Sequence, residues 1–194
     1  MSGETEQINP RDEEALAAAR QRVYAVFDKL GIPYKVFDHV PIFSAADRVA
    51  QGVEVDGVIC KNLFLRNKDK TRYYLYTLPI EKRADLAALQ NMLAETRLSF
   101  GDEEALWEKL HITPGSVSLL NIIGERAASE AAGIVPVPPL LKFLIDAETL
   151  TAVPGIGLHP NDNAATIVFK ADLLPRLLEY FGADFEFVDI PCTE

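Results

Sequence analysis

Val58-Ile-Cys-Lys-Asn-Leu-Phe-Leu-Arg66, a polar stretch from Asn67 to Thr71, and Arg72-Tyr-Tyr-Leu-Tyr-Thr-Leu78 read together as a β-hairpin. Both runs are rich in the aromatic and aliphatic residues that pack on a pleated surface, and turn formers lie between them. Alternation sets Ile59, Lys61 and Leu63 on one face and Cys60 on the other. A charge among apolar neighbours is costly unless that face opens onto a polar cleft, so Lys61 calls for an anionic partner. The plainer alternative is a lysine that snorkels near a sheet edge. Cys60 reads as an inert buried thiol rather than a nucleophile.

On the N-terminal side, residues 1 to 9 are polar, and Asn9-Pro10 predicts the start of a helix carrying Leu16, Ala19, Val23, Val26, Phe27 and Leu30 on one face. Gly31 and Pro33 end it. Tyr34 to Phe37 reads as a strand, and Ser44 to Asp47 as the capped start of a helix reaching Gln51. Beyond the hairpin, Leu86, Leu89 and Leu93 mark a helix, a strand is expected around Arg97 to Ser99, and Leu106, Trp107 and Leu110 mark another helix. Val117 to Ile123, Leu140 to Ile145 and Ala165 to Phe169 are apolar enough for buried strands. Asp172 opens a helix closed by Gly182, and Phe185 to Val188 reads as a last strand. Glu125 to Pro139, rich in Ala, Gly and Pro, reads as a surface excursion. Helices and strands alternate without strict βαβ order, which predicts a mixed α/β, α+β-like domain over residues 11–190 with an N-terminal extension over 1–10.

The chain has 194 residues, 48% hydrophobic and 25% charged, which excludes a disordered or low-complexity protein. Its net charge of −10 argues against coating duplex DNA. No segment approaches the apolar length of a membrane span, and nothing in the first residues resembles an export signal. Cys60 and Cys192 support neither a disulfide framework nor a zinc knuckle, so a reducing, cytoplasmic setting is expected. Charge is uneven: from Lys61 to Arg83, seven basic residues face Asp69 and Glu81, a net of +5. A basic island on an acidic body suits docking of one end of a polyanion, and a solvated hairpin tip is the plainer reading for Lys68 and Lys70.

Two further stretches could carry chemistry. Thr113-Pro-Gly-Ser-Val-Ser118 is a glycine turn whose successive backbone N–H groups can point at a developing oxyanion, or simply a tight turn into a core strand. Gly155-Ile-Gly-Leu-His-Pro-Asn-Asp-Asn163 crowds glycines, a histidine and polar side chains into a loop of the kind that builds sites. Its alternative is an ordinary connection in which His159 caps backbone groups. His39 and His111 have no partners at metal-ligand spacing, so neither a metal nor a cofactor is expected.

Taken in order, Lys61-Asn-Leu-Phe-Leu65, Tyr73-Tyr-Leu, Arg97-Leu-Ser-Phe100, Thr113 to Ser118 and Gly157-Leu-His-Pro-Asn-Asp-Asn-Ala-Ala-Thr166 resemble the YbaK and prolyl-tRNA-synthetase-associated editing family. Within it, the chain looks most like the free-standing ProX or PrdX type. The resemblance implies a curved central mixed sheet flanked by helices, and a metal-free deacylase acting on alanine mischarged to proline tRNA. It implies the acceptor end of the tRNA as partner, and prolyl-tRNA synthetase as a further one. By that resemblance Lys61 is the functional lysine contacting phosphate, and Gly115, Ser116, Val117 and Ser118 supply backbone donors around the ester. Gly157 and His159 shape the aminoacyl pocket, and a terminal ribose hydroxyl helps activate water. The family's G-x-x-x-P pattern runs Gly115-Ser-Val-Ser-Leu119 here, which removes a rigid proline from the turn. A deacylase for another small amino acid, cysteine or serine, and a non-catalytic module binding tRNA or a synthetase are the rival readings.

Overall fold

The computed structural model describes residues 13–42, 45–110, 112, 115–124 and 141–192. The expected extension, the helix start at Asn9-Pro10 and the excursion from Glu125 to Pro139 lie outside them. In chain order the elements are α1 (Glu13–Leu30), β1 (Tyr34–Asp38), α2 (Ala45–Ala50), β2 (Val58–Asn67), β3 (Tyr73–Pro79), α3 (Leu86–Met92) and β4 (Leu98–Phe100). They continue with α4 (Glu103–Leu110), β5 (Leu141–Asp146), β6 (Ile156–Leu158), β7 (Ala165–Phe169), α5 (Leu174–Tyr180) and β8 (Phe185–Val188). The eight strands form one mixed sheet, β1-β7-β6-β2-β3-β5-β8, with β4 attached to β2.

The hairpin is as expected. Cys60 to Arg66 pair antiparallel with Pro79 to Tyr73. Asn67 closes the turn by accepting the N–H groups of Thr71 and Arg72 on its side-chain oxygen. The other edge of β2 is divided. At its start Val58 and Ile59 run parallel to Ile156 and Gly157, and at its end Leu65 to Asn67 pair antiparallel with β4. Among the described residues no strand lies beside Cys60 to Phe64, so the sheet splits at the level of Lys61.

Helices cover both faces. Val23 and Phe27 of α1, Leu106 and Leu110 of α4 and Leu174 and Leu178 of α5 pack with Phe64, Leu75 and Phe143. On the opposite face Leu89 of α3 packs with Leu65, Tyr74, Tyr76 and Leu78. Gly155 sits where a side chain would meet the Phe169 carbonyl oxygen at 2.2 Å, so only glycine lets the chain enter β6 against β7.

Two expectations need correction. Val117 to Ile123 is not a strand but a loop leading into a helical turn over residues 121–124. Its leucines and isoleucines are buried as a strand's would be, but polar side chains take the backbone first. Ser118 N–H donates to Asn121 Oδ1 at 2.6 Å and Leu120 N–H to Ser118 Oγ at 3.2 Å, bonds that compete with a β-ladder. The basic island is likewise less free than its charge suggests, although Lys68, Lys70, Arg72 and Arg83 remain exposed. Lys70 pairs with Asp102 and Arg72 with Glu95. Lys82, 5% exposed, bridges Asp146 at 3.0 Å and Glu148 at 2.7 Å, and Tyr76 also donates to Asp146.

Burial works against the Lys82 charge, but the bonds to Glu148 and Asp146 prevail and keep its pKa above the ordinary lysine value. Lys82→Met leaves the fully buried Asp146 carboxylate without its cation. The variant is expected to lose about 3–5 kcal/mol of stability in urea titrations; an unchanged midpoint contradicts this role.

Candidate active site

A cavity of about 280 Å³ opens where β2 loses its neighbour. Ile59, Cys60, Lys61 and Asn62 form one wall, and Gly115 and Val117 of the glycine turn and His159 of the loop after β6 form the others. Three segments read separately from sequence therefore meet at one concavity. Ser116, Ser118 and Gly157 are not among the residues that line it.

Lys61 is half-buried, and its Nζ donates to the Ile80 carbonyl at 2.9 Å. Burial lowers its pKa and the nearby Glu81 charge opposes that shift. Its neighbour Asn62 has a fixed orientation. Oδ1 accepts both Thr77 Oγ1 at 2.7 Å and the Leu119 N–H at 3.1 Å, and since the amide N–H can only donate, Nδ2 is the atom left for a ligand. This explains how the chain does without a proline at position 119. Leucine retains an N–H, which ties the turn to β2, and its side chain is fully buried.

Ser118 has no donor left for a substrate: its N–H goes to Asn121, and its hydroxyl donates to the His159 carbonyl at 2.7 Å. Its expected role as a backbone donor is corrected to positioning, since it joins the glycine turn to the histidine loop. Among the described residues the N–H groups of Ser116 and Val117 have no acceptor.

The histidine loop is held from several sides. Asn121 Nδ2 donates to Asn161 Oδ1 at 2.9 Å, and Asn161 takes a left-handed φ of 61°. Arg20 of α1 donates through Nε, at 3.0 Å, and through a terminal nitrogen to Asp162 Oδ2. The other Asp162 oxygen accepts the Ala164 N–H. A Cβ on Gly157 would lie 2.6 Å from Ile59 Cδ1 and 3.1 Å from Thr166 Cγ2, so this glycine leaves room for two residues of the cavity wall.

His159 Nδ1 lies 3.0 Å from the Ala165 carbonyl. A carbonyl only accepts, so the proton sits on Nδ1, and in the neutral ring Nε2 carries a lone pair. Burial holds the pKa below the ordinary 6.5, the Ala165 bond opposes this, and the nearby His39 and Arg48 charges add to the lowering. His39 stands 6.1 Å away, ring to ring, and its Nε2 is 2.9 Å from Thr166 Oγ1. Burial pushes the Cys60 thiol up to about 12, which removes it as a nucleophile. No group of three metal-ligating side chains occurs among the described residues.

The model of the aminoacyl-tRNA editing domain matches residues 39–177, a span that contains the whole cavity wall. The chain belongs to the aminoacyl-tRNA editing domain family. The prolyl-tRNA editing protein ProX of Acetoanaerobium sticklandii is 28% identical over 172 residues, covering 89% of this chain and 98% of that one. Prolyl-tRNA synthetase associated domain-containing protein 1 of Bos taurus is 29% identical over 174 residues, covering 88% and 92%. The crystal structure of a candidate trans-editing enzyme for prolyl-tRNA synthetase superposes with a TM-score of 0.59 at 20% identity, over 90% of this chain and 98% of that one. That of the hypothetical protein APE2540 gives 0.58 at 16%, over 87% and 98%. The mixed sheet is thus the editing-domain fold. None of the described helices is long and apolar enough to cross a membrane.

Sequence reasoning missed Arg48, Asn62 and Thr166 as wall residues of this editing domain. Asn62 alone left a sign, as a polar residue on the strand face it shares with the buried Cys60 and Phe64.

Folding holds the His159 imidazole neutral, so the unfolded chain takes up a proton first as pH falls. The stability from this burial is complete above the ordinary value near 6.5 and declines below it towards the lower folded value. Urea titrations at about pH 7.5 and about pH 5.5 should show a loss on acidification that shrinks in His159→Gln. A His159 midpoint at or above 6.5 by NMR contradicts the assignment.

Proposed function

We propose that this protein is a trans-editing deacylase that hydrolyses the ester of alanine misattached to proline tRNA. The observation that carries the reading is the convergence of Lys61, the glycine turn and a neutral His159 on one small cavity at the gap beside β2. Family membership and the likeness to ProX support it. The cavity, about 280 Å³, lies at the lower end of the range for ligand sites, a size for a small acyl group and part of a ribose rather than a whole nucleotide. Discrimination then works by exclusion, because a synthetase pocket built for proline rejects the smaller alanine weakly, while a smaller second pocket excludes proline.

In this reading Lys61 anchors a phosphate at the tRNA 3′ end. The Ser116 and Val117 N–H groups and Asn62 Nδ2 are the donors for the acyl oxygen. His159 Nε2 accepts a hydrogen bond from the aminoacyl group or the attacking water, while Gly115 and Gly157 keep the wall free of side chains. Water oxygen bonds to the acyl carbon, the carbonyl electrons move to the oxyanion held by those donors, and the ester C–O bond breaks on collapse. The ribose oxygen departs with a proton that came from the water. The partners are the acceptor end of the mischarged tRNA and, through it, prolyl-tRNA synthetase.

Release of alanine, cysteine, serine and proline from their proline-tRNA or cognate esters tests the substrate. Alanine on proline tRNA is expected to be released fastest, and tRNA binding without cleavage of any ester overturns the deacylase reading. Lys61→Ala should lower kcat/KM about 10–100-fold, the value of one charge-assisted hydrogen bond. Equal rates remove its role. Gly157→Ala, whose new methyl pushes Ile59 into the cavity, should retain the folded circular dichroism spectrum and lose alanine turnover.

A further inference from the structure

We propose that Arg48 is a second anion-binding residue of this site, which together with Lys61 holds one phosphate of the tRNA 3′ end in a two-cation clamp. This rests on the editing reading above.

Arg48 comes from α2 and Lys61 from β2, yet both line the same cavity. Arg48 Nε donates to the Val53 carbonyl at 3.0 Å, which uses one of its five N–H donors and orients the guanidinium plane. The four N–H groups on the two terminal nitrogens have no partner among the described residues. Lys61 is likewise bound to a carbonyl and not to a carboxylate.

Several cations elsewhere are neutralised, although Arg66 also bonds only a carbonyl among the described residues. Arg20, Lys35, Arg72, Lys82 and Lys142 each pair with an acidic side chain, as expected where acidic residues outnumber basic ones 29 to 19. Two cations that share a concavity in so acidic a chain, with no carboxylate paired to either among the described residues, suit an anion. Glu81 acts on both through its field without pairing with either. Burial works against both charges, and a phosphodiester anion offsets that cost. The division of labour follows from side-chain chemistry: the planar guanidinium grips two phosphate oxygens, and the ammonium adds a point charge from the other side. The position of Arg48 also explains its contribution to the low pKa of His159.

The test compares wild type, Arg48→Lys and Arg48→Met on alanyl-tRNA(Pro) and on alanyl-adenosine, an ester with no phosphate. Arg48→Met should lower kcat/KM on the tRNA about 10–100-fold while leaving alanyl-adenosine within about twofold. Binding of uncharged tRNA should lose about 0.7 from the slope of log K against log salt, and Arg48→Lys should restore that slope. Equal losses on both esters mean that Arg48 acts only through Val53 and overturn the clamp, as does an unchanged salt slope in Arg48→Met. A wild type that cleaves neither ester overturns the deacylase reading instead, and the binding slopes still decide the clamp.

Discussion

Everything at the site depends on one feature of backbone pairing: β2 is longer than either neighbour on its second edge. Parallel β6 takes the first two residues and antiparallel β4 the last three, and among the described residues no strand pairs with the middle on this edge. A continuous sheet at this level would place another strand where the cavity lies and give Lys61 a wall instead of a hollow. The divided edge makes an interior position of a β-strand suitable for a charged residue, because that side chain faces neither a packed core nor open water.

What fills the gap's rim is an interlocked set of polar loops. Asn62 binds the glycine turn through Leu119, Ser118 binds the histidine loop through a carbonyl, and Asn121 binds both. Buried polar groups satisfied in this way hold their geometry because breaking one bond strands its partner without water. The absence of proline at position 119 is absorbed by the same network. Ring rigidity is exchanged for an amide donor, and the donor fixes the asparagine beside Lys61.

The hairpin, α1, β7, α5 and β8 were legible because each carries its own local signal: an aromatic and aliphatic run in Arg72 to Leu78, and a three-four stripe from Val23 to Leu30. The convergence of Lys61, Gly115 and His159 was legible only through family resemblance, since no local pattern announces a meeting of residues so distant in sequence. The strand read over Val117 to Ile123 failed because apolar content reports burial and not conformation. Hydrogen bonds from Ser118 and Asn121 decided the backbone there. β6 escaped notice because it is three residues long with glycine at its centre, and Arg48 because a lone arginine in a six-residue helix carries no periodic signal.

The bond between Arg20 and Asp162 crosses a boundary that homology would draw elsewhere, since the family match starts at residue 39 and α1 precedes it. The histidine loop is guyed to a helix that lies outside the matched span. A minimal fragment trimmed to the family limits would keep every residue that faces the cavity and still cut the stay that braces the histidine's support.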